Sequence, residues 1–365
     1  MSPYISRRTF LRQAGTVAAA AGTIGFPSIL LPKTNRKLGV ALVGLGGYST
    51  GQLAPGLQLT EHCELRGIVT GSPEKIPEWQ EKYGIQDSNI YNYENMHQVA
   101  NNDDIDIIYV VTPPSLHAKY SIIGADAGKH VWCEKPMAMD PEECRRIIDA
   151  AERNGVQLTI GYRMQHEPNT RKIMEYGRNQ SYGAITFIGS GAGYDGYHED
   201  GNWRKEHSMG GGALYDMGVY AINGIRIAMN AEPVAVRGVQ CSVRKNIYPN
   251  ADETTDFEMR FANGVVTKGE TSFGKSMNYL NVEAENGWYY LKPMQPYSNV
   301  QGVVSDGTHL APDPGHQQAR QMDNDALAIK EKRAPLVPGE EGLRDVHIVR
   351  KIMESSVRGG EWLDL

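Results

Sequence analysis

Residues 37–51 read KLGVALVGLGGYSTG. A short apolar run, Val40-Ala41-Leu42-Val43, ends in Gly44-Leu45-Gly46-Gly47. That pattern reads as a buried strand running into a tight turn. Gly44, Gly46 and Ser49 fall on the three marked positions of G-x-G-x-x-G. Glycines there let the backbone turn sharply and approach a pyrophosphate, which then rests on the N-terminus of the next helix. Ser49 replaces the third glycine, so the motif draws its weight from its surroundings.

Those surroundings alternate. CELRGIVTG, IDIIYVVTPP, HVWCEKP and VQLTIGYR read as further short apolar strands. Between them lie helical stretches: PEKIPEWQEKYG closed by Gly84, SLHAKYSIIGADAGK, and DPEECRRIIDAAERNG with Asp140 as N-cap, Pro141 at its first position and Gly155 past its end. Strands alternating with helices imply βαβ units and a parallel sheet buried on both faces. We therefore expect a Rossmann-type doubly wound α/β domain over residues 37–162. From about residue 165 the character shifts to a Gly-rich stretch and then to alternating runs, two of them joined by the hairpin signal Asn263-Gly264. Two helical stretches, about Gln317–Glu331 and Gly342–Arg358, close the chain. Residues 163–365 are expected to form an α+β domain with an open, mostly antiparallel sheet.

The first 36 residues stand apart. ISRRTFLRQAG at 5–15 places Arg7 and Arg8 before an apolar run rich in Gly and Ala, the layout of a twin-arginine (Tat) export leader. The expectation is export through the Tat machinery, with membrane anchoring if the leader is retained. Composition is ordinary for a folded chain, with 40% hydrophobic and 22% charged residues. A net charge of −6 without a basic block argues against nucleic acid as a partner. Cys63, Cys133, Cys144 and Cys241 show no metal spacing and read as buried thiols; no metal site is expected.

Two stretches carry the chemistry. The second strand ends in IVTGSPEK without the acid that usually holds the ribose 2′-hydroxyl of NAD. Thr70, Ser72 and Lys75 are neutral donors and a cation, which favours a 2′-phosphate and hence NADP. Farther on, Glu134-Lys135-Pro136 sits at the carboxyl end of a parallel strand, where open α/β sheets bind their ligands. Lys135 can hold a substrate hydroxyl and shift its proton, with a pKa lowered by desolvation and a neighbouring positive ring. In GGGALYDMGVYAIN, Asp216 and Tyr220 are four apart and share a face if helical. Tyr220 is the candidate acid or base, and Asp216 the residue that positions Lys135 or the substrate.

Together Gly44-Leu45-Gly46, TPPSLHAKY, AGKHVWCEKPMA, GYRMQHEP, WRKEHSMGGGALYDMGVYAIN and PGEEGLRDVHIV resemble the glucose–fructose oxidoreductase/inositol dehydrogenase family over residues 37–365. Tyr220, where most members carry His, and Thr70-Gly71-Ser72-Pro73-Glu74-Lys75 resemble its NADP-dependent glucose–fructose branch. The resemblance implies that Gly44, Gly46, Tyr48, Ser49, Tyr93, Pro113, Leu116, His117, Glu134, Lys135, Arg163, Trp203 and Arg204 line the cofactor or the adjacent site, and that Lys135 and Tyr220 are catalytic. It implies sugars as substrates, NADP as cofactor, a periplasmic location, and a homodimer or homotetramer built through the C-terminal sheet. The implied reaction oxidises an aldose to its lactone and reduces a second sugar on the same cofactor. An aldose dehydrogenase or reductase with exchangeable cofactor and a redox-neutral nicotinamide-dependent glycosidase are the alternatives. The chain departs from the pattern at Pro114, where the family has Asn, and at Met164-Gln165-His166. Only Pro27 to Lys37 is available for the long subunit-embracing arm of the branch.

Overall fold

In the computed structural model, which describes residues 36–365, the opening apolar run becomes strand β1 (Leu38–Val43), with Val40 to Val43 wholly buried. The leader expected over residues 1–36 lies, but for Arg36, outside the described residues. β2 (Cys63–Val69), β3 (Ile90–Tyr91), β4 (Ile107–Val110), β5 (His130–Cys133) and β6 (Leu158–Ile160) join β1 in a parallel sheet of order β3-β2-β1-β4-β5-β6. All four residues of β4 are buried, as they must be in a sheet covered on both faces. The order reverses between β1 and β4, which opens a crevice at their carboxyl ends.

Helices cover both faces. Pro141–Arg153 starts at Asp140, whose carboxylate accepts from the Glu143 amide at 2.9 Å, and it buries Cys144, Ile147 and Ala150. The opposite face is closed partly by Gln317–Glu331, a helix distant in sequence: its Met322 and Ala326 pack with Leu42, Leu53 and Trp132. The last helix begins at Gly339 rather than Gly342, because Glu340 and Glu341 fill its first turn, where carboxylates suit the helix dipole.

The second sheet holds β7 (Ile185–Asp195), β8 (Pro233–Cys241), β9 (Thr254–Phe261), β10 (Val266–Ser272), β11 (Gly274–Ala284), β12 (Gly287–Leu291), β13 (Gly302–Val304), β14 (His309–Leu310) and β15 (Leu363–Asp364). Its order is β14-β13-β12-β11-β7-β10-β9-β8-β15, antiparallel except between β7 and β10. Asn263-Gly264 makes the expected hairpin between β9 and β10. Thr255, Phe257, Met259 and Phe261 of β9 point to the side covered by helices Val219–Met229 and Gly339–Val357. The other side is open and shows a charged row, Arg237, Glu258 and Lys268. Cys241 ends β8 and is exposed, against the expectation of four buried thiols; the other three are buried. No described helix is long and apolar enough to cross a membrane.

Candidate active site

The crevice above β1 widens into a cleft of about 900 Å³ between the parallel sheet and the second half of the chain. Its floor is the turn after β1. Gly44 has φ +99, a left-handed value that favours glycine, and a Cβ there would lie 3.0 Å from the Val111 carbonyl oxygen. A Cβ on Gly46 or Gly47 would meet nothing within 4 Å, so the backbone faces open cleft. Ser49 is fully buried and donates its hydroxyl to the Gly44 carbonyl oxygen at 2.6 Å. Its side chain therefore braces the turn and does not line the cleft. Its hydroxyl substitutes for the close packing that a third glycine would give.

Beside this floor lies the end of β2. Thr70 is buried and accepts from the Ser72 amide at 3.0 Å. Lys75 reaches back over the turn and donates to the Leu45 carbonyl oxygen at 2.9 Å. Tyr93 closes this end, stacked on Tyr120 at 4.9 Å. Open glycine backbone, hydroxyl donors and one cation, with no carboxylate at the strand end, form a cradle that fits a dinucleotide bearing an extra phosphate.

Across the cleft β5 delivers Glu134 and Lys135. Glu134 is held by the Tyr109 hydroxyl at 2.7 Å and by the Lys135 amide at 3.2 Å. Burial raises its pKa despite that hydrogen bond and the nearby cations Lys135 and Arg163. Lys135 donates to the Asp216 carbonyl oxygen at 2.7 Å, lies 3.6 Å from the Asp216 carboxylate and sits 4.5 Å from the Tyr220 ring centre. Burial works to lower its pKa, but Tyr220, Asp216 and Glu134 outweigh burial and hold it above the ordinary lysine value. Among the chain's own groups, then, desolvation of Lys135 is outweighed by its anionic surroundings.

Asp216 stands in a π-helical turn, Leu214–Gly218, that runs into helix Val219–Met229 carrying Tyr220. Wide turns of this kind re-aim side chains and recur at functional sites. The turn is anchored by a glycine run: Gly212 has φ +104 and passes so close to Asp252 that a Cβ would collide with its carboxylate. Arg204, over the Trp203 ring at 4.4 Å, pairs with Asp216 at 2.7 Å. Burial works to raise the Asp216 pKa, yet Arg204 and Lys135 lower it to about 2. A carboxylate depressed on folding stabilises above its unfolded pKa, and that contribution fades as pH falls through the folded value. Asp216→Asn is expected to cost about 2 kcal/mol near neutrality. The gap between variant and wild type should close between the ordinary carboxylate range and a pH of about 2. Melting temperatures of both proteins across that window check this; a gap independent of pH would contradict it.

Of the other expected residues, Gly44, Gly46, Tyr48, Pro113, His117, Arg163, Trp203 and Arg204 reach the cleft wall. His117 lies between the Thr112 and Pro136 carbonyl oxygens, 2.7 and 2.8 Å from its ring nitrogens; burial lowers its pKa to about 4, and the neutral ring donates to one of the two. Leu116 does not line the cleft; it is partly buried against the cluster that contains Ala41, Val43 and Tyr120, just before helix His117–Asp126. Tyr194, Asn278, Gln295 and Tyr297 line the cleft and were not anticipated. They come from β7, β11 and the loop after β12, and only the second sheet brings them to the first. The one sequence signal is KPMQPYSN at 292–299, an aromatic that follows two prolines in a loop.

This architecture defines a dinucleotide-binding α/β oxidoreductase. Two family models match: the oxidoreductase family with an NAD-binding Rossmann fold over residues 38–162, and the GFO/IDH/MocA C-terminal domain over 170–289. The aldose–aldose oxidoreductase of Caulobacter crescentus, solved with glycerol, is 31% identical with a TM-score of 0.86, covering 90% of this chain and 100% of that one. D-xylose 1-dehydrogenase [NADP(+)] of Haloarcula marismortui is 27% identical over 88% of this chain and 92% of its own. A levoglucosan dehydrogenase solved with NADH and levoglucosan shares the fold, with a TM-score of 0.78 at 19% identity over 90% of this chain and 99% of that one. The chain belongs to the GFO/IDH/MocA oxidoreductase family.

Proposed function

We propose that this protein is an NADP-dependent sugar oxidoreductase that oxidises an aldose at C1 to the lactone and reduces a second sugar, fructose or an aldose, on the same retained cofactor. We propose also that it works in the periplasm, exported by the Tat machinery already folded around NADP. The carrying observation is that Lys135, Tyr220 and Asp216 share one cleft with Thr70, Ser72 and Lys75. The names of the Haloarcula and Caulobacter relatives support NADP and aldoses.

Bound NADP supplies the two-electron acceptor and donor. The chain's own residues handle the proton and the alignment. Tyr220 takes the proton from the C1 hydroxyl and later returns one to the acceptor carbonyl. The Lys135 ammonium, 4.5 Å from the Tyr220 ring, offsets the negative charge that develops there during the transfer. Asp216 holds that ammonium in place and is itself held by Arg204. Because proton donor and acceptor are one hydroxyl, the same site serves both half-reactions. A compartment without a NADP pool then poses no obstacle, since the second sugar restores the oxidised cofactor in place.

A second reading is a dehydrogenase with exchangeable NADP, which the name of the Haloarcula relative favours. Protein recovered from the periplasmic fraction, with no cofactor added, separates the two. We expect absorbance in the reduced-nicotinamide band to rise with glucose and fall with fructose. Silence until NADP⁺ is supplied would replace recycling by the second reading. Absence from the periplasmic fraction would overturn the location.

A further inference from the structure

Two tyrosines from different sheets flank the cleft. Tyr48 stands on the turn after β1, and Tyr297 on the loop between β12 and β13. Their ring centres lie 6.1 Å apart with planes inclined by 37°. Tyr297 keeps 48% of its surface exposed, yet the backbone beneath it is held firmly. The Asn278 side-chain oxygen accepts from the Met294 and Gln295 amides at 2.8 and 2.9 Å. The buried Arg163 guanidinium donates to the Gln295 and Pro296 carbonyl oxygens at 2.8 and 3.1 Å. The same guanidinium lies 4.8 Å from the Tyr297 ring and 5.4 Å from the Tyr220 ring. On the other side the Gln318 amide donates to the Tyr48 hydroxyl at 3.4 Å.

Ordering a loop and a side chain costs conformational entropy, which burial normally offsets. Here a buried arginine and an asparagine hold the loop so that an aromatic ring stays half in solvent. That expense has no return in the core of the chain. It has one if the ring gains contact when the cleft is filled. A tyrosine suits the task, since it offers large contact area with only two torsions to restrain.

We propose that Tyr297 and Tyr48 form an aromatic gate that retains the dinucleotide, so that release requires the two rings to part. The inference rests on the reading of the cleft as an NADP site. It locates cofactor retention within a single subunit, on a pair that bridges the two sheets, with Arg163 linking the gate to Tyr220.

Protein loaded with NADPH is chased with excess NADP⁺, and loss of bound-cofactor fluorescence gives the release rate. Tyr297→Ala should release at least about tenfold faster, equivalent to about 1.4 kcal/mol. Tyr297→Phe, which keeps the ring, should release at the wild-type rate. Tyr48→Leu should speed release as well, and the double variant should add little, because loss of either ring opens the pair. The melting temperature of cofactor-free Tyr297→Ala should match wild type. Equal release from wild type and Tyr297→Ala would overturn the gate and leave the NADP reading standing, as would release from Tyr297→Phe as fast as from Tyr297→Ala. Failure of wild type to take up NADPH at all would overturn both.

Discussion

Lys135→Met lowers turnover at least about a hundredfold while leaving NADPH affinity close to wild type. Methionine keeps the length and apolar bulk of lysine and removes only the charge and its donors. What disappears is the ammonium that lies 4.5 Å from the Tyr220 ring and donates to the Asp216 carbonyl oxygen. Without it, the negative charge that develops on Tyr220 during the transfer has no ammonium beside it, and the barrier rises. The fold should tolerate the change, because Asp216 keeps Arg204 at 2.7 Å and is not left as an unpaired buried charge. Fluorescence titration with NADPH and single-turnover absorbance with an aldose separate binding from chemistry. Near-normal turnover would remove Lys135 from the catalytic set. Lys135→Arg should rescue poorly, since a planar guanidinium cannot occupy the place of a compact ammonium.

Lys75→Ala reduces the preference for NADP over NAD by about 10- to 100-fold, chiefly through weaker binding of NADP. A hydrogen bond to a charged phosphate is among the stronger ones available, and Lys75 is the cation at the end of β2. In the structure it leans on the Leu45 carbonyl oxygen at 2.9 Å, which pre-places it over the dinucleotide turn. Thr70 and Ser72 remain in the variant and keep part of the affinity. Dissociation constants of both cofactors for stripped protein decide the matter. An unchanged ratio would mean that Lys75 only braces the turn and that selectivity lies with the hydroxyls.

Much of this was legible locally. The apolar strands declared themselves because a parallel sheet buries both faces, so each strand reads as an unbroken apolar run. Gly44 declared the turn because a left-handed backbone pressed against the Val111 carbonyl leaves few other residues possible, and Gly46 because a bare backbone leaves the cleft above it open. Asp140 and Asn263-Gly264 were read for equally local reasons, a cap and a hairpin turn. Lys135 was readable from its place after an apolar strand. Its protonation was not: desolvation alone points downward, and only the convergence of Tyr220, Asp216 and Glu134 around it reverses the sign.

The resemblance puts Ser49 and Leu116 beside the cofactor, yet neither side chain lines the cleft, because the direction of a side chain at a turn depends on backbone angles that a motif does not state. Tyr297, Asn278 and Tyr194 left no pattern, because they share a cleft with the dinucleotide turn only after the second sheet has paired. By itself, then, the sequence determined the two kinds of sheet, the dinucleotide turn and the residues able to move a proton. The tertiary structure decided which of those residues face one another, which charge each carries, and which aromatic rings stand at the cleft. The reason is physical: periodicity and turn chemistry act between near neighbours along the chain, whereas pKa, cation–π contact and the shape of a cleft arise between groups that only folding brings within a few ångströms.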